Sequence, residues 1–168
     1  NYTSCHDNYT LFDKIRLCNE GISFEDAVKQ NLVAISIVML SQGIPLMNAG
    51  EEFLRTKTDN EGNFVGDSYI SPDYVNSIKW SNLEKEEYKK VYEFYKGKIA
   101  FRKAHKLFQL EDFKKIKKKV SFIDYEDDKV VAYKLKDNKE EIIVILNASE
   151  ENVKITLDEG KYNVFIKE

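Results

Sequence analysis

The chain has 168 residues, 42% of them hydrophobic and 33% charged, so it can bury one good core or two small ones and is not disordered. Its longest apolar stretch, residues 32–40, is interrupted by Ser36 and is far too short to cross a bilayer. The net charge of −3 conceals an acidic front half, because residues 1–80 carry 6 basic and 11 acidic side chains. This acidic balance suits a pocket for a neutral, hydroxyl-rich ligand and argues against a nucleic-acid surface there.

The first predicted elements form a strand–helix–strand unit. Residues 2–5 are β-prone, and the chain then turns through Asn8 into a helix-like stretch. Ser23, with Asp26 three residues later, resembles a capping box before a helical periodicity over residues 24–41 that Gly43 stops. The apolar run at residues 44–49, with Pro45 near its start, predicts a second strand. This order is typical of the βαβ unit of a parallel sheet or barrel.

The later elements change from helix to strand after His105. Residues 50–80 lack periodicity, and a loop of that length is uncommon unless it is functional. A second amphipathic helix is predicted over residues 83–103. Beyond it, short β-type runs separated by turn residues predict an antiparallel sheet or sandwich, with strands at residues 120–122, 130–135, 142–146, 153–157 and 162–166.

The run CHDNYTLFD at residues 5–13 carries the strongest functional signal. It places an imidazole beside a carboxylate at the end of a predicted strand, where barrel enzymes locate their chemistry. The run closely resembles the His-Asp motif near the end of the catalytic barrel in the α-amylase superfamily. Asn-Tyr-Thr-Leu after the pair points to the type I pullulanases, which are debranching enzymes of glycoside hydrolase family 13.

Three further stretches follow this resemblance in order. QGIPLMNAGEEFLRT at residues 42–56 looks like the last barrel strand and its loop in pullulanases, and DSYISPDYVNSIKW at residues 67–80 is similar to their Ser-Tyr segment. KGKIAFRKAH at residues 96–105 fits the family's helix ending, with His105 as a structural junction. Lys79 departs from the family, which usually has an acidic residue there. From residue 109 onward the resemblance is only architectural.

The resemblance implies a fold that is α/β plus all-β. Residues 1–105 would form the last two βα units of a (β/α)8 TIM-type barrel, and residues 106–168 a C-terminal antiparallel β-sandwich domain. Most of such an enzyme would then lie upstream of residue 1. The missing N-terminal part would be a partner of this chain, because two βα units cannot close an eight-stranded barrel.

The resemblance also implies the roles of individual residues. Glycoside hydrolysis uses a carboxylic acid and a carboxylate across an oxocarbenium-like transition state. The α-amylase superfamily adds a third carboxylate, here Asp7, which stabilises the transition state. The family's nucleophile and general acid sit on earlier strands, so we expect this chain to be inactive alone towards α-1,6 bonds of pullulan or branched α-glucans. The expected substrate contacts are His6, Asn8, Tyr9, Arg55, Asp67 and Tyr69.

The other candidate groups are interpreted as structural. Glu51 and Glu52 are expected to hold loop backbone or to pair with Arg55, and Cys5 to be a small buried hydrophobe in the barrel wall. Cys5 and Cys18 make no disulfide framework, and with His6 and His105 they lack recognisable zinc-ligand spacing. We therefore expect no metal ligands and no cofactor in this chain, although the parent enzyme could bind calcium.

Two other interpretations stay open at this point. The chain could be a non-catalytic α-glucan-binding module that uses the C-terminal β domain and the loop aromatics Tyr69, Tyr74 and Trp80. The lysines at residues 114–119 could bind nucleic acid or an anionic membrane, but lysines beside strands more often keep an edge soluble. We expect an α-glucan partner, no nucleic acid and no membrane. Localisation is left open.

Overall fold

The computed structural model describes residues 1–165, which form a helical part followed by a small sheet. The helices are α1 (Leu11–Cys18), α2 (Phe24–Leu40), α3 (Asp73–Asn76), α4 (Glu86–Ala104) and α5 (Phe113–Lys119), with short 3-10 segments at Glu51–Phe53, Trp80–Glu84 and Lys106–Phe108. The strands are β1 (Val120–Ile123), β2 (Val130–Lys136) and β3 (Glu141–Asn147). They pair in the order β1-β2-β3, and both pairings are antiparallel.

The first two helices begin at side-chain caps. The Thr10 hydroxyl accepts a hydrogen bond from the Asp13 backbone N–H, and the Ser23 hydroxyl accepts one from the Asp26 N–H. The Asp26 carboxylate accepts a bond of 2.7 Å from the Ser23 hydroxyl, whereas in a capping box it would accept the backbone N–H of the cap, so the N-cap half of the predicted box is formed. These local bonds satisfy orphan backbone donors and start α1 and α2 where the sequence predicts.

Two apolar clusters hold the molecule together. The first lies between α1, α2 and α4, with Ile35 and Tyr95 almost fully buried in it. The Tyr95 hydroxyl accepts a hydrogen bond of 2.9 Å from the Asn31 amide inside this cluster. The second joins Leu40, at the end of α2, to Phe108 and to the inner face of the sheet. Helix α2 therefore contributes to both clusters.

Arg102 ties the end of α2 to the segment that leads into the sheet. Its guanidinium, only 8% exposed, donates to the carbonyl oxygens of Met39 (2.8 Å), Ser41 (2.6 Å), Gly43 (2.6 Å) and Phe108 (3.0 Å). These carbonyls lie at or beyond a helix end, where backbone acceptors lack helical partners. One buried cation thus replaces the capping that residues 39–43 do not provide themselves.

The predicted barrel strands are not formed in the described residues. Backbone bonds join residues 1–5 to residues 44–49 only at their start, where the Asn1 amino group donates to the Ile44 carbonyl and the Leu46 N–H donates to the Asn1 carbonyl, each at 2.8 Å. This alternation is the bond pattern of parallel strands. It stops after one residue, because parallel pairing is less stable per residue than antiparallel pairing, and the Cys5 carbonyl is bound by the Asn48 side chain instead of by a backbone N–H.

The predicted sandwich is likewise not confirmed. Residues 153–157 and 162–165 are irregular, and residue 166, the end of the last predicted strand, lies outside the described residues. The three strands that do form match the predictions within one or two residues. Helix α5 was not predicted as a helix, although Asp112 caps it by accepting from the Lys114 N–H.

His105 lies at the junction between α4 and the sheet. Its Nδ1 is 2.6 Å from Glu140 Oε2, in the turn between β2 and β3, and its ring lies 4.3 Å from that of Phe101. This contact fits the structural role expected for it. Cys5, in contrast, is only half-buried rather than enclosed in a barrel wall, because the neighbouring strands of such a wall are not part of the described structure.

Candidate functional site

A single open cavity of about 610 Å³ brings together every predicted site residue. Its walls come from three segments that are distant in sequence: residues 6–9 before α1, Arg55 after the first 3-10 turn, and residues 66–69 with Asn76 of α3. The seven predicted residues that line it are His6, Asp7, Asn8, Tyr9, Arg55, Asp67 and Tyr69. The residues named from the separate sequence motifs thus lie around one cavity.

His6 and Asp7 stand at the mouth of this cavity. His6 Nε2 lies 3.5 Å from Asp7 Oδ2, and the two side chains are 87% and 78% exposed. The loop that presents them is fixed on both sides, because the Asn48 amide donates to the Cys5 carbonyl at 3.1 Å and Asn8 adopts a left-handed conformation with φ 63°. Asn tolerates this conformation better than most residues. The pair is therefore held by its backbone and open to a ligand.

Arg55 lines the cavity while its guanidinium binds loop backbone. One terminal nitrogen donates to the Ala49 carbonyl at 3.1 Å and the other donates to the Asn76 carbonyl. Gly50 makes this possible: its φ is 94°, and a Cβ there would come within 2.9 Å of Arg55 Cδ. The expected pairing of Arg55 with Glu51 or Glu52 is replaced by these backbone bonds.

The opposite wall is the loop at residues 66–69. Asp67 is exposed, and the Tyr69 ring is 81% exposed towards the cavity. Gly66 packs directly on Tyr9, since a Cβ at this glycine would lie 3.0 Å from the Tyr9 ring. Ser68 points inward, where its hydroxyl donates to the Asn76 side-chain oxygen at 2.9 Å and the Asn76 amide donates back to the Ser68 carbonyl at 2.6 Å.

Sequence reasoning named Glu51 only as a loop contact, and it missed two other buried charged residues near the cavity, Lys57 and Asp13. Lys57 is 2% exposed, and its backbone N–H donates to Asp13 Oδ2 at 2.9 Å. Burial raises the pKa of Asp13, although hydrogen bonds from Lys57 and Thr10 oppose the rise. Burial also raises the pKa of Glu51, which accepts hydrogen bonds from the hydroxyls of Thr3 and Ser4. A sequence pattern cannot show such burial, because the covering loops are distant in the chain.

Glu52 has the loop contact expected of it, whereas Glu51 has a different one. Glu52 accepts the Gly50 backbone N–H at 2.9 Å, so it holds the loop as predicted. Glu51 instead binds the segment before the His-Asp pair through Thr3 and Ser4. Neither glutamate lines the cavity, whose carboxylates among the described residues are Asp7 and Asp67.

One group of possible metal ligands lies at the cavity mouth. The ligand atoms of Cys5, His6 and Asp7 are within 4.8 Å of one another, and this is the one such group among residues 1–165. The three residues are consecutive, and His6 and Asp7 are exposed. Cys18 and His105 do not belong to this group, since Cys18 is exposed at the end of α1 and His105 contacts Glu140.

In the described part of the chain, no helix combines the length and apolarity needed to span a membrane.

Comparison with known proteins identifies relatives of this chain. Residues 116–168 match the family "Pullulanase, all-beta domain". The chain is 31% identical over 158 residues to the pullulanase of Bacillus subtilis (strain 168), which covers 91% of this chain and 21% of that enzyme. It is 44% identical over 82 residues to Pullulanase 1, chloroplastic, of Arabidopsis thaliana, covering 48% of this chain and 8% of the relative. The chain thus spans about a fifth or less of the length of these relatives.

Solved structures give the same result. The pullulanase of Anoxybacillus sp. LM18-11 complexed with maltotetraose superposes with a TM-score of 0.85 at 34% identity, covering 95% of this chain and 23% of that one. The pullulanase of Paenibacillus barengoltzii in complex with maltohexaose and α-cyclodextrin gives 0.80 at 36% identity, covering 89% of this chain and 23% of that one. By sequence and by fold, the chain belongs to the pullulanase family and corresponds to a C-terminal part of it.

Proposed function

We propose that this chain works as part of a debranching glycoside hydrolase that cleaves α-1,6-glucosidic bonds of pullulan or branched α-glucans by a retaining mechanism. The observation that carries the proposal is the convergence of all seven motif residues on one cavity. The similar enzymes complexed with maltotetraose and maltohexaose support an α-glucan as the ligand.

Asp7 is the transition-state-stabilising carboxylate in this proposal. An oxocarbenium-like transition state gains positive charge, and a fixed carboxylate stabilises that charge more than it stabilises the neutral substrate. Asp7 is exposed at the cavity mouth, so a bound sugar ring would displace water from it. His6 donates hydrogen bonds to hydroxyls of the same ring, while Asn8, Tyr9 and Arg55 line the neighbouring surface and Asp67 and Tyr69 contact sugars further along.

The chain supplies only part of the active site. We propose that residues 1–105 are the end of a (β/α)8 barrel and residues 106–168 a C-terminal β-sandwich. The parallel bond pattern between Asn1 and residues 44–46 supports the first assignment, since it is the start of a parallel ladder. The nucleophile and the general acid then belong to the remainder of the enzyme, and the chain alone does not hydrolyse pullulan.

The test uses the complete enzyme that carries this chain as its C-terminal part. Asp7→Asn should lower kcat on pullulan by roughly three to four decades, because the charge it removes acts mainly in the transition state. Asp128→Asn, in the exposed turn between β1 and β2, is the matched control and should leave kcat unchanged. Near-normal turnover of Asp7→Asn would refute the role of Asp7, and maltotriose release by the purified 168-residue chain would refute its inactivity alone.

The second candidate is a non-catalytic α-glucan-binding module, favoured by exposed aromatic rings. Tyr69 is 81% exposed and Trp80 62%, and the Trp80 ring lies 5.5 Å from that of Phe53. Calorimetric titration of the chain with maltotetraose distinguishes the two. Affinity that survives Asp7→Ala but is lost with Trp80→Ala would favour the binding module, and affinity lost with Asp7→Ala but kept with Trp80→Ala would favour the proposed active site.

A further inference from the structure

Lys57 is a buried cation placed between the two walls of the cavity. Its Nζ donates to the Ser68 hydroxyl at 3.0 Å, to the His6 carbonyl at 3.4 Å and to the Gly66 carbonyl at 3.5 Å. An ammonium has three N–H donors and no acceptor, so these three oxygens supply one acceptor for each donor. His6 belongs to one wall and Gly66 and Ser68 to the other.

The backbone of Lys57 is fixed independently of its side chain. Its N–H donates to the buried Asp13 carboxylate at 2.9 Å, and its carbonyl accepts from the Val65 N–H at 2.8 Å. The second bond closes the short antiparallel turn that contains the Thr58–Phe64 bridge and leads directly into the loop at residues 66–69. The ammonium is therefore carried on a rigid base beneath the cavity.

Bonds from Ser68 extend this connection to Arg55. Ser68 accepts from Lys57 and donates to Asn76, whose backbone carbonyl accepts from Arg55. Three parts of the cavity wall are thus joined through one lysine. A lysine that is 2% exposed is uncommon unless its charge is compensated, and here desolvation lowers the pKa of Lys57 while Asp13 and Asp7 oppose the shift.

We propose that Lys57 is a positioning residue that sets the spacing between the His6–Asp7 loop and the loop at residues 66–69, so that one glucan chain contacts both. This proposal rests on the proposed function. Lys57 does not line the cavity, and it acts only through the groups it holds. Without the ammonium the two loops keep their separate anchors, Asn48 for the first and Asn76 for the second, but lose their common one.

The expected kinetic effect is a change in KM. In the complete enzyme, Lys57→Met keeps the aliphatic stem and removes the three donors, and it should raise KM for pullulan about tenfold, the size of one lost charge-assisted hydrogen bond. We expect kcat to fall less than about threefold, because the bond from Asn48 to the Cys5 carbonyl, which holds the loop of Asp7, does not involve Lys57. A merely destabilising change would instead lower the active fraction, and therefore kcat, with KM unchanged.

Two substitutions of Ser68 test its bond to Lys57, one that removes the hydroxyl and one that keeps it. Ser68→Ala removes the shortest of the three bonds and should raise KM by roughly threefold, whereas Ser68→Thr keeps the hydroxyl and should restore it. Val144→Ala, a cavity-forming change in the buried face of β3, is the control for lost stability. It should lower the melting temperature and leave KM as in the unmodified enzyme.

Hydrogen exchange on the 168-residue chain gives a second readout that does not need activity. In Lys57→Met the amides of residues 6–9 and 66–69 should exchange faster together, while those of α2 and α4 stay protected. Unchanged exchange in these two loops, or a KM equal to that of the unmodified enzyme, would overturn the proposal. If the unmodified complete enzyme fails to hydrolyse pullulan, the proposed function falls, and the exchange result still decides the role of Lys57.

Discussion

Arg102→Met should destabilise this chain far more than the loss of an exposed charge from the same helix. The arginine donates to four carbonyl oxygens at 2.6–3.0 Å and is 8% exposed, so the variant leaves acceptors at the end of α2 without a partner. A hydrogen bond to a charged group contributes about 1.5–3 kcal/mol, and such bonds add incompletely around one group. We expect a loss of about 4 kcal/mol, comparable with removing one partner of a buried ion pair.

Thermal unfolding of the 168-residue chain followed by circular dichroism measures this loss. For a chain of this size, about 4 kcal/mol corresponds to a fall of roughly 8–16 °C in the melting temperature. Lys103→Met is the matched control, because its side chain is exposed on the same helix and should shift the melting temperature by less than about 2 °C. A loss below about 1 kcal/mol in Arg102→Met would show that water or local shifts satisfy these carbonyls, and would refute the assigned role.

Three further changes test single contacts. Gly50→Ala should cost about 1–3 kcal/mol in urea unfolding, because φ is 94° and the added Cβ meets Arg55; an unchanged midpoint would contradict this. Tyr95→Phe leaves the buried Asn31 amide without its acceptor and should cost about 1–3 kcal/mol, and a neutral effect would show another acceptor nearby. Burial raises the pKa of Glu51 above its ordinary 4.5, so the folded state holds the proton more tightly than the unfolded state does. The free energy of unfolding therefore falls as the pH rises from 4.5 through the folded pKa. Glu51→Gln should remove this fall in thermal melts from about pH 4 to 7, and a pH profile identical to that of the unmodified chain would contradict it.

Local signals predicted α1, α2, α4 and the three strands of this chain. The Ser23–Asp26 cap and the 3.6-residue period define α2 within one residue, since both depend on neighbours close in sequence. The strands predicted at residues 2–5 and 44–49 do not form, because a strand needs partners that the alternation of its own residues does not supply. Asp112 is the one local signal for α5, and the lysine run that follows it has no apolar period to support a helix.

The site was predicted by resemblance rather than by periodicity. Motifs at residues 5–13, 42–56 and 67–80 named seven residues, and all of them line one cavity. Lys57 was not among them, because its burial depends on the loops around His6 and Gly66, which lie 51 and 9 residues away along the chain. Long-range contacts of this kind follow from the fold and leave no local pattern.

The membership of α2 in both apolar clusters couples the two halves of the molecule. Ile35 and Met39 pack in the first cluster, while Leu40, the next residue along, packs against the sheet in the second. The helix cannot fray from its last turn without loosening both clusters at once. The helical half and the sheet half should therefore melt as one cooperative unit, with a single heat-absorption peak, and the amides of the last turn of α2 should be among the slowest to exchange.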